Sequence, residues 1–180
     1  MRVLGISGSL RRASINSAFL RVACQLRPVE MEFDIFDGVG ALPLFNPDLE
    51  AHLPMPVRAF HAAVADADAL MIASPEYAHG VTGVIKNALD WLVSFEAFVG
   101  KPVAVINVSP RASHADAAIR ETLKTMSARI VEPASISIRL LGAQLDENAM
   151  LENPVISATI RRSLVSLAAV VELVGVEDNE

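Results

Sequence analysis

Five short segments with strand character alternate with helical patterns along the chain. Three of them, residues 3–6, 69–73 and 102–108, are continuously apolar, as strands buried on both faces are. Strands that alternate with helices in this way favour a parallel sheet covered by helices on both sides. We therefore expect an α/β fold with a doubly wound, five-stranded parallel sheet. The predicted strands are 3–6, 31–35, 69–73, 102–108 and 130–138, and the predicted helices are 15–26, 57–65, 84–93, 118–126 and 156–171.

Size and charge restrict the domain count and the kind of partner. A chain of 180 residues with 52% hydrophobic content suits one compact core, so we expect a single domain over residues 1–180. The formal net charge of −6 argues against nucleic acid or an anionic membrane as partner, because both need a basic surface. A small-molecule ligand fits this charge better.

The single cysteine and the length of the apolar segments bear on localisation. Cys24 has no second cysteine in the chain to pair with, so nothing indicates an oxidising compartment. No segment has the roughly 20 uninterrupted apolar residues of a membrane span. The expected location is therefore the cytoplasm, without a membrane partner.

Ligands of doubly wound sheets bind beyond the carboxyl ends of the strands, where the strand order reverses. In this chain, three loops follow apolar strands and precede helices: residues 8–16, 74–83 and 109–115. We therefore expect the functional site to form between these three loops.

The first loop has the side chains of an anion site. Ser9 and Ser14 offer hydroxyl groups, Arg11 a guanidinium and Asn16 an amide, just where a helix is predicted to begin at Ile15. The spacing matches neither the triphosphate-binding Gly-x-x-x-x-Gly-Lys-Ser/Thr loop nor the dinucleotide-binding Gly-x-Gly-x-x-Gly turn. In the alternative interpretation, Ser14 and Asn16 only cap the helix, and the arginines are solvated.

The second loop is suited to a flat ring. Pro75 stiffens its start, while Gly80 and Gly83 let a ligand come close to the backbone. The side chain of Tyr77 can pack against an aromatic ring and keep its hydroxyl in water. The alternative is that Pro-Glu-Tyr is only a turn.

Three motifs in the first half of the chain resemble the NAD(P)H-dependent FMN reductase family, the flavodoxin-like quinone, azo-dye and chromate reductases. The first is Gly-Ser-Leu-Arg-x-x-Ser-x-Asn over residues 8–16, and the second is Leu-Pro-Leu-Phe-Asn-Pro-Asp over 42–48. The third is Pro-Glu-Tyr-x-His-Gly-x-x-Gly-x-x-Lys-Asn-Ala-x-Asp-Trp over 75–91. The resemblance implies a flavodoxin-like fold that binds FMN.

The resemblance also implies roles for individual residues. The first loop would hold the phosphate of FMN, and the second loop, with Ser109, would contact its ring. Lys86, Asn87, Asp90 and Trp91 would hold their helix and a subunit contact. The cofactor-binding residues expected on this basis are Ser9, Arg11, Ser14, Ile15, Asn16, Pro75, Glu76, Tyr77, Ala78, His79, Gly80 and Ser109.

The sequence departs from the family pattern in the second and third loops. Ala78 stands where asparagine is usual, and Thr82 where proline is common. Residues 109–115 lack the three glycines of the family's third loop, which adds bulk beside the ring. Arg111 and His114 would then bind a substrate carboxylate or a dinucleotide phosphate, or would narrow the site.

The expected function is that of a flavin-dependent reductase. NADPH or NADH would pass hydride to flavin N5, and the flavin would reduce a small acceptor, so no protein side chain need act as the catalytic group. The alternatives are a flavodoxin-type electron carrier and a non-enzymatic FMN-binding module. No metal site is expected, because the four histidines and the cysteine lack metal-ligand spacing. The resemblance suggests a homodimer or homotetramer; alternatively, the aromatic residues near Trp91 only complete the monomer core.

Overall fold

A parallel sheet forms the centre of the chain in the computed structural model, which describes residues 1–109, 111–140 and 145–177. The strands are β1 (Arg2–Ser7), β2 (Glu32–Ile35), β3 (Ala69–Ala73), β4 (Glu76–Tyr77), β5 (Gly80–Val81), β6 (Pro102–Asn107), β7 (Arg129–Ile130) and β8 (Ile136–Ser137). The α-helices are α1 (Ile15–Leu26), α2 (Met55–Asp66), α3 (Gly83–Asp90), α4 (Ser113–Thr125), α5 (Glu147–Glu152) and α6 (Pro154–Glu177). Short 3-10 helices lie at Asp37–Ala41, Pro47–His52 and Glu96–Phe98.

The sheet has the strand order of a doubly wound fold. Along the sheet the order is β2, β1, β3, β6 and β7, and every pairing in it is parallel. The chain first adds β2 on one side of β1 and then continues with β3 on the other side. The switch point, at which ligands of such sheets bind, therefore lies between β1 and β3. The predicted α/β fold with a flavodoxin-like parallel sheet is confirmed.

The fifth strand is not continuous, so the prediction of one strand over residues 130–138 is wrong. Instead β7 pairs with the beginning of β6 and β8 with its end. Pro133 lies between them and has no N–H to give to a ladder. The Ser135 hydroxyl fills the gap by accepting a hydrogen bond from Val105 N at 3.0 Å and donating one to Val131 O at 2.9 Å.

Alternate side chains of the strands enter two cores on opposite faces of the sheet. In β3, Met71 joins the core beneath α1 and α6, whereas Leu70 and Ile72 join the core beneath α2 and α3. Phe19 and Phe60 are fully buried in the first and the second core respectively. Burial on both faces explains why the central strands are continuously apolar.

Helix α6 packs one face on the first core and presents the other to solvent. Ile156, Ile160 and Leu164 are buried at helical spacing, while Val155 and Leu173 are exposed. Residues Pro154–Val174 have the length and composition of a membrane span, the one helix among the described residues that does. The buried stripe is nevertheless what a core helix shows.

Besides the short 3-10 helices, two elements of this fold were not predicted from the sequence. One is the hairpin of β4 and β5, which forms a separate two-stranded antiparallel sheet inside the second loop. The other is α5, capped by the Asp146 carboxylate, which accepts from Ala149 N at 2.8 Å. Of the two, the hairpin changes the interpretation of the site.

Candidate functional site

The three loops come together around one cavity at the carboxyl ends of β1, β3 and β6. Its volume is about 350 Å³, within the range of small-molecule sites. Nine of the twelve expected cofactor-binding residues line it: Ser9, Arg11, Ser14, Ile15, Asn16, Pro75, Glu76, Tyr77 and Ser109. The remaining three, Ala78, His79 and Gly80, lie in the hairpin beside it and are not among the residues that line it.

The first loop places polar groups at the start of α1. Ser14 is the N-cap of this helix, and its hydroxyl accepts from Ser17 N at 3.3 Å, so the capping role is real. Asn16 has no such role. It is buried, and its Oδ1 has no hydrogen-bond partner among the described residues. A buried polar atom without a partner is costly in a folded chain, and here it belongs to a residue that lines the cavity.

The first and second loops touch at Gly8. A Cβ at this position would lie 2.2 Å from Ser74 Oγ and 2.6 Å from Ser74 Cβ, so only glycine allows the approach. Gly8 N donates to Ala73 O at 2.9 Å, and Gly8 O accepts from the Thr82 hydroxyl at 2.7 Å. Thr82 is also the N-cap of α3. Its hydroxyl, present where the family commonly has proline, thus connects the first loop to α3.

The hairpin turn has an unusual backbone. Tyr77 pairs with Gly80, and the two residues between them, Ala78 and His79, have φ angles of 50° and 57°. Positive φ at both central positions is typical of a type I′ turn, which favours Asn-Gly. A side chain with a Cβ is strained there. The asparagine of the family pattern would suit this turn better than Ala78 does.

We expect Ala78→Asn to raise the free energy of unfolding by about 0.5 kcal/mol, because asparagine tolerates the left-handed region better than alanine. The matched control is Ala62→Asn in the exposed part of α2, where asparagine is a poorer helix former and lowers stability by about 0.5 kcal/mol. Urea unfolding followed by circular dichroism measures both. An equal decrease for the two variants would contradict the turn geometry.

The third loop is held in place by a residue that the sequence analysis did not select. Asn107 is buried at the end of β6; its Oδ1 accepts from Ser109 N at 2.9 Å, and its Nδ2 donates to Ala112 O at 3.2 Å. Asn107 also lines the cavity. The predicted loop 109–115 is shorter than expected, because α4 begins at Ser113; Pro110 lies outside the described residues.

Glu76 connects the hairpin to α4. Ala112, the N-cap residue of α4, makes no side-chain cap, and the Glu76 carboxylate takes this place by accepting from Ala115 N at 2.8 Å. The positive end of the helix favours this negative charge. The side chain of Glu76 therefore has a structural role in a residue that also lines the cavity.

Helix α3, for which the resemblance implied a subunit contact, fastens the loop at residues 42–48. Asn87 Oδ1 accepts from Phe45 N at 2.8 Å, and Pro43 O accepts from both Asn87 Nδ2 and Trp91 Nε1. Trp91 is 1% exposed, and Leu92 and Phe98 are also buried. These side chains complete the monomer core, as the alternative interpretation had it, whereas Lys86 and Asp90 form an ion pair along α3.

Two cations away from the cavity have shifted pKa values. Burial lowers the pKa of Lys101, at the opposite end of the sheet, and the nearby Asp68 carboxylate only partly offsets this. Burial also acts to lower the pKa of Arg120, but its contacts with Asp116 and Glu132 outweigh burial and raise it. In the described part of the chain, no three histidine, cysteine or acidic residues are grouped as a metal site requires.

The family model of NADPH-dependent FMN reductases matches residues 1–139. The chain belongs to this family. A 2-hydroxy-1,4-benzoquinone reductase of a Burkholderia species is 39% identical over 112 residues, and an NAD(P)H-dependent FMN reductase of Pseudomonas aeruginosa is 43% identical over 112. These matches cover 61% of this chain in both cases, and 61% and 60% of the relatives. The chain thus spans about three fifths of the length of the curated relatives that it matches.

A solved structure matches over nearly its whole length. FerB, a flavoenzyme NAD(P)H:(acceptor) oxidoreductase from Paracoccus denitrificans, is 26% identical with a TM-score of 0.84, covering 95% of this chain and 97% of FerB. A flavodoxin variant from Pseudomonas aeruginosa has a TM-score of 0.54 at 16% identity and covers 89% of this chain and 99% of the flavodoxin. At that identity the second likeness concerns the fold alone.

Proposed function

We propose that the chain binds FMN in the cavity and works as an NAD(P)H-dependent reductase of small acceptors, such as quinones, azo compounds, metal oxyanions or free flavin. The observation that carries this proposal is that the loop expected to bind an anion and the loop expected to bind a flat ring line the same cavity. The names of its relatives as quinone reductase and FMN reductase agree with it. The residues 1–180 would act as one domain, in the cytoplasm.

The residues present fit FMN. Its phosphate needs donors at a helix N-terminus, which Ser9, Ser14 and the backbone at the start of α1 provide together with the Arg11 guanidinium. Asn16 has a buried Oδ1 that finds no partner in the part of the chain that the structure describes, and a hydroxyl of the ribityl chain would satisfy it. The contact of Gly8 with Ser74 brings the two loops together around the ligand.

The flavin supplies the hydride and electron chemistry when it is bound. The work of the chain is to bind the ring, orient it and exclude water. Pro75, Glu76 and Tyr77 line the cavity from the hairpin side, while Ser109 lines it from the third loop. The Glu76 carboxylate accepts a hydrogen bond from Ala115 N. Its role is therefore to hold the hairpin against α4, and no proton transfer is assigned to it.

The contribution of the first loop is tested by comparing FMN with riboflavin, which lacks the phosphate. Arg11→Gln removes a charge-assisted contact and should weaken FMN binding by roughly 10-fold or more, because such bonds are worth about 1.5–3 kcal/mol. Riboflavin should bind more weakly than FMN to the unaltered protein and should lose much less affinity in the variant. Quenching of flavin fluorescence measures all four dissociation constants.

Arg12→Gln is the matched control for this experiment. Arg12 is the next residue and carries the same charge, but it lines a neighbouring surface depression and not this cavity. Its loss should change the FMN dissociation constant by less than about 3-fold, as expected of a screened surface charge. If both variants lost FMN and riboflavin affinity to the same extent, the loop would not be the phosphate site.

A homodimer or homotetramer is part of the proposal. Since Trp91, Leu92 and Phe98 belong to the monomer core, the contact would use the large apolar side chains that stay exposed near α3 and the loop at 42–48, namely Leu44 and Val93. Exposed apolar groups of this size mark interaction surfaces when they cluster. Light scattering should give a mass of at least two chains; a monomeric mass at micromolar concentration would refute this part.

A further inference from the structure

The third loop brings a positive charge to the cavity in addition to that of the phosphate loop. Arg111 lines the cavity from the turn that precedes α4, while Arg11 lines it from the first loop. Arg111 is exposed and has no ion pair with any residue in the described part of the chain. Because the chain as a whole carries a net charge of −6, this basic cavity differs from the rest of the protein.

Two stacked histidines, which are not among the residues that line the cavity, join the hairpin to the start of α4 just after this arginine in the sequence. The imidazole rings of His79, at the tip of the hairpin, and His114, in the first turn of α4, are stacked with centroids 4.5 Å apart and planes at 22°. The stack fixes the position of His114 relative to the second loop. His114 therefore offers a ring N–H donor close in sequence to the Arg111 guanidinium.

The acidic groups near these cations are already engaged. Glu76, which lines the cavity, accepts a hydrogen bond from Ala115 N at 2.8 Å. The second carboxylate is that of Asp116 in the first turn of α4, and it pairs with Arg120 at 2.8 Å. Arg111 thus has no ion pair among the described residues, and the two arginines that line the cavity outnumber its one carboxylate, that of Glu76.

We propose that Arg111 and His114 form a second anion-binding point at the cavity, which recognises a phosphate, carboxylate or sulfonate group on the redox substrate. This inference rests on the proposed function. In the overall reaction, NAD(P)H and one proton convert a quinone to its hydroquinone and leave NAD(P)⁺, and the anionic group changes no bond. Two substrates carry such groups: the 2′-phosphate of NADPH, or an acidic substituent on the acceptor.

The test compares matched substrate pairs in the holoenzyme. One pair is 1,4-naphthoquinone and its 2-sulfonate; the other is NADH and NADPH. In Arg111→Gln, kcat/KM for the anionic member of one pair should fall roughly tenfold further than for its neutral or less charged partner, as expected for one charge-assisted contact. The pair that responds identifies whether the acceptor or the dinucleotide supplies the anion. His114→Asn should give a smaller change in the same direction.

Lys124→Gln is the control, since Lys124 is a cation in the last turn of the same helix, far along α4 from the cavity. It removes the same charge and should leave both ratios unchanged. Raising the salt concentration should weaken the anionic preference of the unaltered enzyme more than that of Arg111→Gln. The anion-binding point would be overturned if Arg111→Gln lowered kcat/KM equally for both members of each pair, or lowered it for neither pair.

A failure of the anion-binding point can be distinguished from a failure of the proposed reductase function. If the unaltered holoenzyme did not oxidise NAD(P)H with neutral naphthoquinone, the reductase proposal would fail, yet the anion point would still be open to measurement. Calorimetric titration with naphthalene-2-sulfonate should then give tighter binding to the unaltered protein than to Arg111→Gln. Equal affinities would count against it.

Discussion

Gly8→Ala is expected to weaken FMN binding by roughly 10- to 100-fold, because overpacking at a close contact costs about 1–3 kcal/mol. The added methyl group would meet Ser74 Oγ at 2.2 Å and Ser74 Cα at 3.1 Å, so the backbone of one loop must move. Movement of Gly8 breaks its bonds to Ala73 O and to the Thr82 hydroxyl, which hold the loops together. Fluorescence titration of the apoprotein with FMN measures the effect.

Two further variants make this prediction specific. Gly83→Ala is the matched control. Although Gly83 was expected to leave room for the ligand, it begins α3 and is not among the residues that line the cavity, and a Cβ there has no heavy atom within 4 Å. This variant should therefore bind FMN normally. Adding Ser74→Gly to Gly8→Ala removes the two closest of the clashing atoms and should restore part of the affinity. Since coupled residues deviate from additivity, the absence of any restoration would show that the contact does not limit binding.

Trp91→Ala is expected to lower the free energy of unfolding by about 3–5 kcal/mol, as is usual when a large buried ring is removed. The indole is 1% exposed, packs edge-on against Phe45 with ring centroids 5.0 Å apart, and donates to Pro43 O at 2.8 Å. Its loss leaves a cavity and also loosens the loop at residues 42–48. Because Trp91 is the chain's single tryptophan, circular dichroism is the appropriate probe of denaturant unfolding.

Trp91→Phe separates packing from the hydrogen bond. Phenylalanine keeps most of the ring but has no N–H, while Pro43 O still accepts from Asn87 Nδ2 at 3.0 Å. The expected loss is therefore only about 1 kcal/mol, the usual net value of one hydrogen bond. A loss as large as that of Trp91→Ala would mean that the bond, and not the packing, supports this part of the fold.

The parallel sheet, and the cavity between the three loops, were predictable because buried parallel strands have a strong sequence pattern. A run such as Ala69–Ala73 has no polar face and admits few alternatives. The division of the last strand depended on Pro133 and Ser135, a proline and a hydroxyl that the β-branched pattern around them obscured. The hairpin was missed because its turn contains Ala78 and His79, and not the Asn-Gly that normally marks a type I′ turn.

The site was predicted less completely than the fold. The first loop was recognisable because its polar groups are contiguous in the sequence and precede a helix. The contact between Glu76 and Ala115 joins residues 39 positions apart and leaves no local pattern. Asn107 did leave a signal, because it is a polar residue at the end of an otherwise apolar strand, next to a ligand loop. This pattern predicts a residue of the site as well as the loop residues do.

We propose above that the cavity holds an FMN which NAD(P)H reduces. The most direct measurement is the absorption spectrum of the purified protein, reconstituted with FMN where necessary, before and after anaerobic addition of NADPH or NADH. We expect the bands of oxidised flavin to be present and then to bleach, with recovery when a quinone is added. Bound FMN that NAD(P)H does not bleach would indicate an electron carrier or a binding module. Failure to bind FMN after reconstitution would contradict the proposal that the cavity is a flavin site.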